Sequence, residues 1–117
     1  MTMPSQLGAK PTIEAFTADH FLPYQGDIFR FQPPGTGEPV ELELLDVSSP
    51  RKPARGFDSG RREPFSLLFR SVRGQSMAAV LHTLIHEGFE PCLIFVSRII
   101  PPADRDPKEA YYEAVFN

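Results

Sequence analysis

The chain has 117 residues, 41% hydrophobic and 23% charged, with a formal net charge of −3 and one cysteine. That is enough for one domain around one core and too apolar for a disordered chain. The same numbers exclude an internal disulfide, argue against general nucleic-acid binding, and leave no apolar run near the roughly 20 residues that cross a bilayer.

Residues 1–13 are polar and irregular and read as a flexible N-terminal segment, with a single β-rich domain over 14–117. No basic stretch followed by an apolar one opens the chain, so the expected compartment is the cytoplasm. Residues 14–24 suit a short helix with Thr17 as N-cap and Phe16 and Phe21 facing inward; Gly26 ends it. Asp27-Ile28-Phe29-Arg30-Phe31 reads as a first strand, and Pro33-Pro34-Gly35-Thr36-Gly37 as a turn. Val40-Glu41-Leu42-Glu43-Leu44 then alternates strictly, with carboxylates on the wet side. Leu45 and Val47 reverse that phase, which predicts either a bulge or a strand covered on both faces.

Residues 48–62 form a long loop with two prolines, two glycines and five basic side chains. Loops of that length in compact domains are usually functional or disordered. Pro64 opens a third strand, in which Phe65, Leu67 and Phe69 share one face. Residues 76–88 fit two readings. Met77, Val80, Leu81, Leu84 and Ile85 stand at helical spacing between Ser76 and Gly88, yet Val80, His82 and Leu84 also alternate against Leu81, Thr83 and Ile85. Residues 87–91 read as a turn. Residues 92–100 predict a continuous apolar strand, buried in part on both faces. After the polar loop 101–108, Tyr111-Tyr112-Glu113-Ala114-Val115-Phe116 predicts a last strand.

Thirteen prolines, most at segment edges, punctuate these strands because proline cannot donate to a ladder. Ten Phe and no Trp suit pleated surfaces. The expected fold is all-β or β-dominated: an antiparallel β-sandwich or partly open barrel of about six strands with a short N-terminal helix.

Glu63-Pro64-Phe65-Ser66-Leu67-Leu68-Phe69-Arg70, then His86, Leu93-Ile94-Phe95-Val96 and the terminal Tyr112-Glu113-Ala114-Val115-Phe116-Asn117 resemble a small bacterial family of domains of unknown function. Its members carry E-P-F-S-L-L-F-R-G and a closing Y-E-A-V-F-N. Phe21-Leu22-Pro23-Tyr24-Gln25-Gly26-Asp27-Ile28-Phe29 is similar to a further F-x-P-L-x-G-x-x-F pattern, and the likeness covers about residues 16–117. Ser71 stands where the family has a turn glycine, and Met77-Ala78-Ala79 where relatives are more strand-like. The resemblance implies a small β-rich domain and favours a strand over 76–88. Some members are encoded beside phage-tail-collar-like proteins, which implies a structural or assembly role.

Four residues with chemistry to offer, His82, His86, Glu87 and Cys92, lie within 11 positions. They carry no established zinc spacing, and no metal or cofactor is expected. A cysteine nucleophile would need a histidine and an acid such as Asp46 to meet it. Cys92 opens an apolar run, where burial makes a thiol inert. Glu41 and Glu43 read first as a hydrophilic strand face.

The charge distribution is uneven. Residues 51–73 hold seven basic and two acidic side chains, a balance of +5, and the remaining residues hold five basic and thirteen acidic, a balance of −8. Arginines there could grip a phosphate with paired hydrogen bonds. Arg51-x-x-x-Arg55 followed by Asp58-Ser59-Gly60 is faintly similar to the signature of PilZ domains, which bind a cyclic dinucleotide, although here the order is compressed into one loop.

These readings give a non-enzymatic structural or protein-interaction module, associated through the resemblance with a phage-tail-like assembly. The expected partner is another protein, reached by edge-strand addition or by the basic loop, with no membrane or nucleic-acid partner. The alternative is a small anionic-ligand domain, for phosphate or nucleotide, using Arg51, Arg55, Arg61 and Arg62. The sequence sets no oligomeric state.

Overall fold

The computed structural model describes residues 13–35, 37–49, 64–74, 77 and 80–117. Six strands carry the fold: β1 (Ile28–Gln32), β2 (Val40–Ser48), β3 (Phe65–Ser71), β4 (Val80–His86), β5 (Phe89–Ile99) and β6 (Tyr111–Phe116). They close into an antiparallel barrel in the order β1-β2-β3-β6-β5-β4, with β4 returning to β1. Two three-stranded meanders, β1-β2-β3 and β4-β5-β6, are thus joined edge to edge. The shortest ladders are β1–β4 and β5–β6, three residue pairs each.

Alternation builds the core directly. Phe29 and Phe31 of β1, Val40, Leu42 and Leu44 of β2, and Phe65, Leu67 and Phe69 of β3 all turn inward and are buried. Their neighbours Glu41, Glu43 and Arg70 face outward. In β2 the phase reversal is a bulge: Leu44 pairs with Phe69 and Asp46 with Leu68, so Leu45 is the extra residue. Residues 80–86 are a strand. Its helical spacing of apolar residues is outweighed because β4 pairs with β1 on one side and β5 on the other, and that pairing closes the ring.

β5 differs from expectation in two ways. It begins at Phe89, because only Glu87 and Gly88 form the hairpin loop and His86 pairs with Phe89. Between Leu84↔Cys92 and His86↔Phe89 the register slips, placing the surplus residue on β5, in the stretch holding Pro91. A bulge is where a strand tolerates a proline. β5 is also buried on one face only. Ile94 and Val96 point into the core, while Leu93 and Phe95 are exposed.

The N-terminal part plugs one end of the barrel. The helix α1 (Ala18–Phe21) is a single turn, with 3-10 turns before it at Ile13–Ala15 and after it at Leu22–Tyr24. Thr17 is its extended N-cap, and His20 Nδ1 accepts the Thr17 backbone N–H at 3.0 Å, the reciprocal half of a capping box. Pro23 removes the donor that would continue the helix. Gly26, at φ +95°, turns the chain into β1. Phe16 and Phe21 are fully buried: Phe21 stacks on Phe89 at 4.5 Å between ring centroids, and Phe16 meets Phe89 and Phe116 edge-on. Among the described residues no helix is long and apolar enough to cross a membrane.

Candidate interaction surface

The outer wall of the barrel carries ion pairs on β2 and β3 and a group of large exposed apolar side chains on β4, β5 and β6. On β2 and β3 the outward side chains pair by charge. Glu43 and Arg70 stand opposite each other in the ladder and form an ion pair, and Arg70 Nη1 also lies 3.8 Å from Glu109. Arg73 Nε lies 3.3 Å from Glu41. Both carboxylates that the alternation placed on the wet side are therefore matched by arginines, which is a structural use of them.

On β4, β5 and β6 large apolar side chains stand outward among polar ones such as Thr83, Ser97 and Glu113. Leu81 (49% exposed), Leu93 (56%), Phe95 (54%) and Val115 (57%) all face solvent. Leu81 and Phe95 are directly opposite in the β4–β5 ladder, and Leu93 lies two residues from Phe95 on the same side of β5. β6, which carries Val115, adjoins β5. Single exposed apolar residues are ordinary; a group of large ones on neighbouring strands of a small domain is less so.

Of the residues singled out for chemistry, His82, His86, Glu87 and Cys92 lie on the β4–β5 hairpin and Asp46 lies on β2. His82 is buried in β4 opposite Ile94, Cys92 packs against the core opposite Leu84, and Glu87 sits in the hairpin loop. Asp46 accepts the backbone N–H of Val47, its own neighbour. Among the described residues no group of three or more His, Cys, Asp or Glu side chains comes together as a metal site would require. Arg51, Arg55, Arg61 and Arg62, and with them Asp58-Ser59-Gly60, lie outside the described residues.

One constellation that the sequence did not suggest does form. His86 Nε2 lies 3.1 Å from Asp27 Oδ2, and Gly88 N–H donates to His86 Nδ1 at 2.9 Å. The ring stacks on Phe29 at 4.2 Å and meets Tyr24 edge-on at 4.7 Å. A backbone N–H can only donate. Nδ1 is therefore the accepting nitrogen, and the neutral ring carries its proton on Nε2 toward the carboxylate. Both ring nitrogens are engaged, and the histidine acts as a brace between the start of β1 and the β4–β5 hairpin.

The family described as "Domain of unknown function (DUF6916)" matches residues 16–116. No curated protein and no solved structure matches the chain.

Proposed function

Because the chain belongs to this family of domains of unknown function, we propose from its own surface that it is a non-enzymatic cytoplasmic module that binds another protein through the outer wall of β4, β5 and β6. The observation that carries this reading is the exposure of Leu81, Leu93, Phe95 and Val115 on one wall of a closed barrel. The interior of a barrel this small is filled by its own side chains, so large apolar residues on the outside do not serve its core. Among the described residues every strand has neighbours on both sides, which leaves no whole edge strand there for strand addition and favours docking by side chains instead.

A non-enzymatic role is supported by the His86–Asp27 pair. Its nitrogen that could act as a base already accepts the Gly88 amide. The resemblance carried by the strand motifs supports an assembly setting of the phage-tail-like kind, in which the partner is encoded nearby.

The reading is tested by co-purification. Tagged protein expressed with the products of its neighbouring genes is expected to retain one of them, and Phe95→Ser combined with Leu93→Ser to release it while leaving the melting temperature within a few degrees. Retention of the partner by the double variant, or elution of the wild-type chain alone as a monomer from its native extract, would sink the proposal.

A further inference from the structure

His86 is a nearly enclosed histidine whose two ring nitrogens make contacts of opposite polarity. Its side chain is 6% exposed, against 51% for Asp27. Nδ1 takes a hydrogen bond from the Gly88 amide, and Nε2 faces the Asp27 carboxylate. The ring lies between Phe29, Phe89 and Tyr24. Gly88 itself approaches Tyr24 so closely that a Cβ there would stand 2.6 Å from the phenol oxygen. The turn, the ring and the tyrosine therefore hold one another in place.

A proton added to this ring has only Nδ1 to bind. Nδ1–H and the Gly88 N–H would then be two donors pointing at each other, and the contact that pins the turn is lost. At the other nitrogen the same proton strengthens the hydrogen bond, because an imidazolium now faces a carboxylate. We propose that His86 is a proton-operated latch on the β4–β5 hairpin: the neutral ring holds the Gly88 amide, and the protonated ring releases it while keeping Asp27. The charged and titratable groups around the ring are Asp27 at Nε2, Tyr24 at its edge, and Arg30 and Glu87, which with Asp27 line a surface depression of about 280 Å³ beside it. Phe29 and Phe89 contribute only apolar surface. The loss at Gly88 and the gain at Asp27 oppose each other, so the response is a local exchange of partners and leaves the barrel folded.

The test is nuclear magnetic resonance on the whole chain. Ring nitrogen shifts of the neutral side chain are expected to show the proton on Nε2 of His86, and the protection factor of the Gly88 amide is expected to fall about fivefold in step with the appearance of the Nδ1 proton in a pH series. In His86→Asn the side-chain oxygen stands at the place of Nδ1 and can accept the Gly88 amide at every pH, so the fall should vanish. A neutral ring protonated on Nδ1, a wild-type Gly88 protection factor that does not change as Nδ1 takes up its proton, or the same fall in the asparagine variant overturns the latch. Should that variant not fold, the wild-type ring shifts decide, since protonation of Nδ1 must track the release of Gly88.

Discussion

His86 Nε2 meets the Asp27 carboxylate at 3.1 Å across 59 residues of chain. The contact ties the hairpin between β4 and β5 to the turn that leads from the N-terminal plug into β1. Tyr24 completes the junction, packed against both the histidine and Phe89.

Gly88 is required at that junction for space, since a Cβ would lie 2.6 Å from the Tyr24 oxygen and 2.7 Å from the ring carbon that bears it. Gly88→Ala is expected to cost about 1–3 kcal/mol, the usual penalty for overpacking. In a Tyr24→Ala background the same change should cost almost nothing. Urea denaturation of the four proteins in that cycle measures the coupling, and a full penalty without the tyrosine would refute the steric account.

Two phenylalanines separate core from surface. Phe21 is fully buried in the plug and touches Phe16, Phe29, Phe65, Phe89 and Phe116. Phe21→Ala should remove about 3–5 kcal/mol. Phe95, more than half exposed, is opposite only Leu81 in the β4–β5 ladder, and Phe95→Ala should cost under about 1 kcal/mol, the value of one cross-strand pair. Thermal unfolding ranks the two, and an equal loss would mean that Phe95 belongs to the core.

The Tyr112 hydroxyl accepts the backbone N–H of Met77 at 3.0 Å in a buried position. Tyr112→Phe leaves that amide without its acceptor and is expected to cost about 1–3 kcal/mol with no change in volume. Chemical denaturation measures it. A neutral result would show that water replaces the hydroxyl.

The Glu43–Arg70 ion pair lies on the outer wall with both side chains partly exposed. Its worth is bounded by solvent screening. Glu43→Gln should cost no more than about 1 kcal/mol in dilute buffer, and the difference should vanish near 1 M salt. A loss that persists in high salt would point to packing by the side chain in place of charge.

Local pattern made several elements legible. Strict alternation in 40–44 and 65–69 identified β2 and β3 and their inward residues, because one buried face selects every second side chain. The reversal at Leu45 fitted either a bulge or a doubly covered strand, of which the bulge forms, and Thr17, Phe16 and Phe21 marked a short capped helix with inward rings. Pairing across distance was not legible. Asp27 read as the first residue of a strand and His86 as one of four chemistry-bearing residues within 11 positions, and nothing in either neighbourhood points to the other. The run 92–100 suggested burial on both faces because Leu93 and Phe95 are as apolar as Ile94 and Val96. Hydropathy records what a side chain is and not which wall it faces.

The sequence alone thus determined how β2 and β3 alternate and that the phase of β2 breaks at Leu45, since those depend on neighbours one or two residues away. Only the tertiary structure decided that 80–86 closes the ring as a strand, that the outer wall of β5 stays bare, and that a histidine finds its carboxylate. Each of these follows from which strands lie side by side, and the free energy that settles it is spread over contacts between residues far apart in the chain.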